Sequence, residues 1–197
     1  MQQNRSLRQE LRSNRKSLTP TYRKQAILAA TKNLKNLPRF KKSRRTACYM
    51  ASDGEISPHL LVSIIWKHKK LCYLPALDPI KAKCLRFLNY DPLSQLCINR
   101  YGIAEPRMPI KNYIHPWALD LVITPLVGFD CHGHRIGMGG GYYDRTFSFI
   151  RARHAWRKPY IVGFAFDIQE VPNIKTNKWD IPMDAIITET RVLQITR

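Results

Sequence analysis

An almost uninterrupted apolar run, followed by a glycine-rich segment, constrains the fold of this chain more than any other feature. The run, residues 119–126, reads LDLVITPL, and residues 129–145 read FDCHGHRIGMGGGYYDR. A short apolar run without alternation is typical of a strand that is buried on both faces, as in the middle of a parallel sheet. Because open parallel sheets bind ligands beyond the carboxyl ends of their strands, we expect a ligand site directly after this run.

The segments on either side alternate between helical and extended patterns. Leu7, Leu11 and Leu18 fall near one face of a first helix, and Thr19-Pro20 is a typical start for a second. The other segments are short, and we expect strands at residues 46–50, 71–75, 84–90, 160–166 and 185–188, helices at 58–68 and from residue 141, and irregular structure at 35–45 and 91–117. Strands that alternate with helices predict an α/β fold with an open, mostly parallel sheet.

Length and charge narrow the possible functions. The 197 residues fit a single domain, of which residues 1–36 form a helical segment that packs on the α/β core. Thirty-three Lys and Arg residues against fourteen Asp and Glu residues give a net charge of +19. A positive field of that size attracts polyanions such as nucleotides, nucleic acid, acidic lipid or polyglutamate.

The same sequence argues against a membrane protein and against a disulfide scaffold. It has no apolar run near the roughly 20 residues of a membrane helix, and its basic N-terminus lacks the apolar core of a secretory signal. Its five cysteines are widely spaced and form no CxxC pair, which indicates reduced thiols. We therefore expect a cytoplasmic protein, and a monomer.

The glycine-rich segment has the composition of a phosphate-binding loop. Its four glycines between residues 137 and 141 let the backbone approach a ligand closely, and the free N–H groups of such a turn bind phosphate well. Arg135 and Arg145 flank the glycines with positive charge, and Asp144 offers the oxygen ligands that magnesium takes beside phosphate. The alternative is a flexible loop with an incidental acid.

Three familiar motifs do not match this segment. A Walker loop ends in Gly-Lys-Ser/Thr, which is absent here. The dinucleotide pattern GxGxxG begins at Gly137 and Gly139 but places Tyr142 at the third glycine. His132 and His134 have the spacing of a metal-binding pair, but a polar turn without a third ligand does not favour zinc.

The stretch LDLVITPLVGFDCHGHRIGMGGGYYDR resembles the signature of the 5-formyltetrahydrofolate cyclo-ligase family, whose members are also called methenyltetrahydrofolate synthetases. The resemblance runs over nearly the whole chain and includes RSLRQELRSNRKSL, MASDGEIS, CLRFLNYDPLSQL, GIAEP and WDIPMDAIIT. It implies a three-layer α/β sandwich with a mostly parallel, Rossmann-like central sheet. It also implies ATP as co-substrate, Mg²⁺ as cofactor and a reduced folate as substrate.

The resemblance also assigns roles by position. The residues implied to contact ATP are Arg8, Arg135, Gly137, Met138, Gly139, Gly140, Gly141, Tyr142 and Tyr143. Those implied to face the folate are Met50, Glu55 and Tyr142, and those implied to bind magnesium are Asp144 and Asp184. The chemistry implied is phosphorylation of the formyl oxygen, which makes it a leaving group and lets N10 close the ring.

Two departures from the family pattern concern the phosphate contacts. Many members have a lysine four residues before the arginine that matches Arg8, and here that position is Asn4 with Arg5 beside it. Many members also have a basic residue inside the glycine loop, where this chain has Met138 and Gly140. Arg135 and the loop backbone are then expected to meet more of the phosphate charge.

Each charged candidate also has a structural interpretation. A single arginine in so basic a chain is most often a solvated surface charge. Asp144 is also in position to decorate the first turn of a helix, Asp184 to serve as a turn residue before a strand, and Glu55 to lie exposed in a turn.

Two other functions fit parts of the sequence. The net charge and the basic segments 5–16 and 35–45 suggest a nucleic-acid-binding module, but the chain has no zinc finger, no RNP-type aromatic strand and no typical recognition helix. We therefore expect no specific nucleic-acid partner. A sugar-phosphate isomerase or CoA transferase also has such a sheet, and neither needs ATP.

Overall fold

The structure is a computed structural model that describes residues 2–107, 113–152 and 159–195. The strands of these ranges are β1 (Arg45–Ala47), β2 (Leu71–Leu77), β3 (Leu85–Asn89), β4 (Leu96–Ile98), β5 (Ala104–Pro106), β6 (Tyr113–Ile114), β7 (Leu121–Thr124), β8 (Gly128–Phe129), β9 (Arg135–Ile136), β10 (Tyr160–Phe164), β11 (Ala185–Ile187) and β12 (Val192–Gln194). The helices are α1 (Gln2–Lys16), α2 (Pro20–Asn36), α3 (Pro38–Lys42), α4 (His59–Lys67) and α5 (Tyr142–Thr146), with 3-10 turns at Pro116–Ala118, Ser148–Ala152 and Asp167–Gln169.

Eight of these strands form the central sheet, in the order β12-β11-β10-β7-β1-β2-β3-β6. The five strands from β11 to β2 are mutually parallel. Antiparallel strands extend both sides, β12 on β11 and then β3 and β6 beyond β2. The predicted α/β class with a mostly parallel central sheet is confirmed.

Strand β7 lies in the middle of the parallel strands because both of its faces are apolar. Leu121 and Ile123 point into a core shared with α2, α3 and α4, while Val122 points into the core on the other face, with Phe147. The side chains of these three β7 residues are completely buried. Since burying one such side chain stabilises a fold by about 1.5–3 kcal/mol, this short strand anchors both layers.

The N-terminal residues form two helices that pack on different parts of this core. The Thr19 hydroxyl accepts a hydrogen bond of 3.2 Å from Tyr22 N–H and begins α2, whose buried face includes Ala26, Ala30 and Leu34. In α1, Leu11 packs with Val127 and other apolar residues after β7. Helix α1 is thereby held beside the carboxyl ends of the parallel strands.

In the described ranges no helix combines the length and the apolar character that a bilayer span needs.

The segment 35–45, predicted to be a loop, contains the five-residue helix α3. Pro38 occupies the first turn of α3, where the missing N–H has no helical partner in any case, so the proline starts this helix instead of preventing it. Phe40 is buried in the core and holds α3 in place.

The segment 91–117, predicted to be irregular, contains β4, β5 and β6. All three residues of β4 are exposed, so the strand has none of the alternation by which a half-buried strand is recognised. The side chain of Asn99 closes the β4–β5 turn by accepting the N–H groups of Tyr101 and Ile103. The prolines of the segment lie outside that turn, and residues 108–112 lie outside the described part of the chain.

Candidate active site

A cavity of about 1370 Å³ opens at the carboxyl ends of the parallel strands. Its walls are the turn after β1, the end of β2, the segment after β7, the β4–β5 hairpin and the glycine-rich loop. All but one of the residues implied by the resemblance line it: Arg8, Met50, Glu55, Arg135, Gly137, Met138, Gly139, Gly140, Gly141, Tyr142, Tyr143 and Asp144. The expected location of the site, directly after the buried run, agrees with this cavity.

The glycine loop has a backbone that other residues rarely adopt. Gly139 has a φ of +93° and Gly141 a φ of +67°, both in the left-handed region. Gly141 directly precedes α5, so the chain enters the helix from a conformation that favours glycine. At these two positions the glycines determine the path of the loop past the cavity.

Two arginines hold the loop from opposite sides. Arg8 Nε, on α1, donates to the carbonyl of Gly137 over 2.9 Å. Arg135 Nη2, on β9, donates to Asp144 Oδ1 over 2.6 Å, and its guanidinium lies 5.6 Å from the ring centroid of Tyr143. Only 7% of the Arg135 side chain is exposed, so this ion pair is largely shielded from solvent.

The hairpin that carries Arg135 is closed by a buried carboxylate, Asp130. Its oxygens accept the backbone N–H groups of His132, His134 and Ile174, each over 3.0 Å, and the ring Nδ1 of His134 lies 2.9 Å away. Burial opposes ionisation, but hydrogen bonds, led by the one from His134, lower the Asp130 pKa below its ordinary value. The His134 ring thus has a structural partner, and the described residues contain no cluster of three or more metal-ligating side chains.

Asp180 lines the same cavity as Asp144, and Asp184 does not. Asp180 lines the cavity, and the residue after it, Ile181, donates its N–H to Asp144 over 3.3 Å. The carboxylate of Asp184 instead accepts the N–H of Ile161 over 2.7 Å, at the beginning of β10. Asp184 therefore lies where the parallel strands begin, and its geometry is that of the turn residue before a strand.

Sequence reasoning missed Asp180, although both acids lie in the same motif, WDIPMD. A residue pattern does not tell which of two acids four positions apart faces a cavity. Different hydrogen bonds hold the chain next to each acid. Asp180 N–H donates to the carbonyl of Asn177 in a local turn, and Met183 N–H, just before Asp184, donates to the carbonyl of Gly133.

Glu55 and Met50 line the same cavity as the glycine loop. Its Oε2 accepts the backbone N–H of Ser52 over 3.0 Å, which closes a tight turn after β1. Burial raises the Glu55 pKa, and the hydrogen bond from Ser52 offsets only part of that effect. Glu55 is consequently a half-buried carboxyl at the cavity, whereas the alternative interpretation of the sequence was an exposed acid in a turn.

The model of the 5-formyltetrahydrofolate cyclo-ligase family matches residues 1–189. The chain belongs to this family. Similar relatives carry the name 5-formyltetrahydrofolate cyclo-ligase. The one from Escherichia coli (strain K12) is 37% identical over 182 residues, which cover 92% of this chain and 98% of the relative. The one from Haemophilus influenzae is 38% identical over 188 residues, which cover 94% and 97%.

Solved structures of methenyltetrahydrofolate synthetases have the same fold. The NMR structure from Aquifex aeolicus is 29% identical and matches with a TM-score of 0.81, over 98% of this chain and 93% of that one. The structure from Mycoplasma pneumoniae matches with a TM-score of 0.72 over 94% of this chain and 98% of that one. Its sequence is 20% identical, so the match supports the fold alone.

In this cyclo-ligase family member, a charge cluster ties the Glu55 turn to α1. Asp53 receives Arg12 Nε at 2.6 Å, Arg15 Nη2 at 3.0 Å and Lys16 Nζ at 2.6 Å. The hydrogen bond from Arg12 contributes most to a pKa of Asp53 well below its usual range. Sequence reasoning gave no role to Asp53 and noted the three cations only as part of the basic segment 5–16, since one acid among many basic residues carries no pattern.

The two adjacent tyrosines of the loop point in different directions. Tyr143 packs on Phe147 of the core, and burial raises its pKa. The Tyr142 hydroxyl lies 2.7 Å from that of Tyr101 and accepts from Arg100 Nη2 over 2.8 Å. The hydrogen bond from Tyr101 is the main reason that the Tyr142 pKa is lowered. Tyr143 thus belongs to the core side of the cavity, and Tyr142 joins the glycine loop to the β4–β5 hairpin.

The structure describes the side chains at only one of the two places where this chain departs from the family pattern. The side chain of Asn4 lies outside the described part of the chain. At the second departure, the carbonyl of Gly140 accepts from Arg145 Nη1 over 2.8 Å. Met138 is half-exposed, with 54% of its surface accessible. The positive charge nearest to the middle of the loop therefore comes from Arg145 and Arg8, which approach it from outside.

Proposed function

We propose that this chain converts 5-formyltetrahydrofolate to 5,10-methenyltetrahydrofolate with cleavage of ATP to ADP and phosphate. One observation carries the proposal: a phosphate-type glycine loop and the Glu55 carboxyl line the same cavity. Its volume of about 1370 Å³ exceeds the ~300–1,000 Å³ typical of a site for one small ligand. There is space for a folate and a nucleotide side by side.

In this reaction the formyl oxygen attacks the terminal phosphorus of ATP, and ADP leaves. The N10 nitrogen then attacks the formyl carbon, the new ring forms, and the oxygen leaves as part of inorganic phosphate. Phosphoryl transfer of this kind depends on alignment and on stabilisation of phosphate charge more than on covalent participation by the protein. The contribution of the chain is to hold both substrates and to exclude water.

For ATP, we assign the loop from Gly137 to Tyr143 to the phosphates, through its backbone N–H groups. Arg8 and Arg135 supply positive charge from the two sides of the loop. Arginine suits this task because its planar group contacts phosphate oxygens in pairs. The left-handed glycines support the assignment, since a Cβ there would strain the path along which the backbone approaches the phosphates.

For magnesium, we assign Asp144 and Asp180 in place of the pair Asp144 and Asp184. Magnesium is typically held by one or two carboxylates together with phosphate oxygens and water, and both acids line the cavity that contains the phosphate loop. When bound, the ion neutralises negative charge on the phosphates. Arg135, which is paired with Asp144, is positioned to share that carboxylate's charge with the ion.

For the folate, we assign Glu55, Met50 and Tyr142 as contacts. The half-buried Glu55 carboxyl is suited to hydrogen bonds with the N–H groups of a pterin, and Met50 offers an apolar surface in the same wall. Tyr142 takes part in both the nucleotide loop and the rim of the cavity, where it lies between the two ligands.

The experiment that tests this function follows the absorbance of the methenyl product. The purified chain is incubated with 5-formyltetrahydrofolate and magnesium, with ATP, without ATP and with a non-hydrolysable ATP analogue. We expect product only with ATP, with one ADP formed for each methenyl group. Absence of product in all three reactions, or product formed equally without ATP, would reject the proposal and favour an ATP-independent enzyme with the same sheet.

A further inference from the structure

The amino-terminal edge of the central sheet, opposite the cavity described above, carries a second, smaller cavity of about 480 Å³. It lies where β1 and β2 begin and β3 ends, and Arg45, Leu71 and Asn89 are part of its lining. Tyr113, in β6, completes one side. None of the residues assigned to ATP, folate or magnesium lines this second cavity.

Arg45, which lines this cavity, belongs to a group of exposed cations on two neighbouring segments. Lys41, Lys42, Arg44 and Arg45 come from the end of α3 and the start of β1, and Lys69 comes from the turn before β2. The two segments are adjacent, because Leu71 N–H donates to the carbonyl of Arg44 over 2.9 Å. We call these five residues the basic edge.

One acid, Asp120, lies within the basic edge, and its carboxylate is used by the backbone. It accepts the N–H groups of Arg44 and Arg45 over 3.0 and 2.9 Å. These bonds hold the start of β1, and the side chains of Arg44 and Arg45 are exposed there.

An aromatic column borders the same cavity. The rings of His115 and Trp117 are stacked, with centroids 3.9 Å apart and planes 12° from parallel. Tyr113 meets His115 edge-on at 5.2 Å. The column contacts the basic edge, since Arg45 Nη1 donates to the carbonyl of Ala118, next to Trp117. Trp117 has 45% of its surface exposed and Tyr113 has 37%, so part of each ring is accessible from solvent.

We propose that the basic edge and the aromatic column form a binding site for single-stranded nucleic acid. Exposed cations that follow a backbone of phosphates, together with aromatic rings on which bases stack, are the two elements of sequence-tolerant single-strand binding. A duplex satisfies only the first, because its bases are stacked on each other. The site is separate from the catalytic cavity, so it gives the net charge of +19 a use that folate chemistry does not require.

The phosphate contacts are tested by fluorescence anisotropy with a labelled oligothymidylate of about 20 nucleotides, over a series of salt concentrations. We expect Arg44→Ala/Arg45→Ala to weaken binding and to reduce the slope of log affinity against log salt by about 1.4, or ~0.7 for each lost phosphate contact. The matched control is Lys24→Ala/Lys32→Ala, which removes two exposed charges from α2. That control should leave the affinity within about twofold, because its cations lie outside the site.

The stacking contacts are tested at Trp117 with two variants of similar apolar character. Trp117→Phe keeps a flat ring, and Trp117→Leu does not. We expect Trp117→Leu to weaken oligothymidylate binding about tenfold and Trp117→Phe to retain most of it. Circular dichroism and methenyl formation, measured on both variants, establish that each is folded and active.

Four results would overturn the proposal. One is an equal loss of affinity in the Arg44/Arg45 and Lys24/Lys32 double variants, which would mean attraction by the whole-molecule charge. Another is equal binding by Trp117→Leu and Trp117→Phe. The third is equal affinity for the duplex of the same oligonucleotide. The fourth is binding to phosphatidylserine vesicles by a protein that does not bind the oligonucleotide, which would make the edge a membrane-surface contact.

Discussion

The two edges of the central sheet use charge in opposite ways. At the carboxyl edge the charged groups are bonded to one another: Asp53 to three cations, and Asp144 to Arg135. At the amino edge the cations of residues 41–45 are exposed, and the Asp120 carboxylate accepts backbone N–H groups. Bonded charges fix distances, and solvated charges provide attraction without fixed geometry.

This difference explains why a chain with a net charge of +19 can contain a specific site. Transfer of a phosphoryl group needs groups held in fixed positions, and the carboxyl edge holds them through ion pairs and hydrogen bonds. The basic surface elsewhere affects which polyanions approach, and it leaves the internal geometry of the cavity unchanged. Substitutions at the two edges should therefore have separable effects.

The largest effect is expected at Gly139. Replacement by valine puts a branched side chain on a backbone with a φ of +93° and shifts the loop that faces the phosphates. We expect kcat/KM for ATP to fall by at least about 1,000-fold, or ~4 kcal/mol, with the fold retained. Met138→Ala is the control, since it keeps the loop backbone and changes only an exposed side chain. Unchanged ATP affinity in a folded Gly139→Val protein would refute the role of the loop.

A smaller loss is expected at Asp144. Asp144→Ala removes a proposed magnesium ligand and leaves Arg135 without its partner. We expect turnover to fall about 100-fold, or ~2.7 kcal/mol, while the affinity for the folate changes little. Steady-state kinetics at saturating magnesium measure both quantities. Turnover within about threefold of the parent chain would show that this carboxylate does not assist the transfer.

Asp180 and Asp184 provide a direct comparison within one motif. Asp180→Asn should raise the magnesium concentration needed for half-maximal turnover about tenfold, because one proposed ligand loses its charge. Asp184→Asn should leave that concentration unchanged and lower the melting temperature, since its carboxylate bonds to the start of β10. The reverse result would restore Asp184 as the second ligand.

The smallest effect concerns Glu55 and pH. Burial raises its pKa, so the folded chain binds this proton more tightly than the unfolded chain, and stability declines as pH rises through the folded pKa. Glu55→Gln should remove that decline, so it should raise the melting temperature at about pH 8 but not at about pH 5. In a chain of this size, 1 kcal/mol of stability corresponds to about 2–4 °C in melting temperature.

The same variant separates stability from function. We expect Glu55→Gln to raise KM for the folate about tenfold, because the amide presents an N–H₂ where the pterin offers N–H groups. A melting temperature that drops at both pH values would indicate a structural role for Glu55, and an unchanged KM would remove it from the folate wall.

The sequence predicted the parts of the site that depend on local patterns. The buried run that became β7 and the glycines before α5 were recognisable because burial on both faces and left-handed backbone each restrict residue type. The partners of these elements depend on tertiary contact and leave no such pattern. Asp53 pairs with cations from a helix 37–41 residues earlier, and Tyr142 bonds to Tyr101 across the cavity.

The magnesium role of Asp184 stays a prediction, and its position outside the cavity illustrates the same limit of a residue pattern. Its motif indicated an acid close to the metal but not which of two acids turns inward. Helix α3 and strand β4 were missed because Pro38 was read as a break and because a fully exposed strand does not alternate. The magnesium assignment, the cytoplasmic location and the monomeric state remain predictions.

One paired measurement tests the separation of the two edges most directly. Methenyl formation and oligothymidylate retention are followed on the same protein across one series of salt concentrations. Binding that rests on released counterions falls steeply with salt, whereas ligands held by backbone N–H groups and shielded charges are screened less. We expect salt that removes the oligonucleotide to leave most of the ATP-dependent product in place. If the two activities fell together, or if no methenyl product formed at any salt concentration while the oligonucleotide stayed bound, the account of two independent edges would be contradicted.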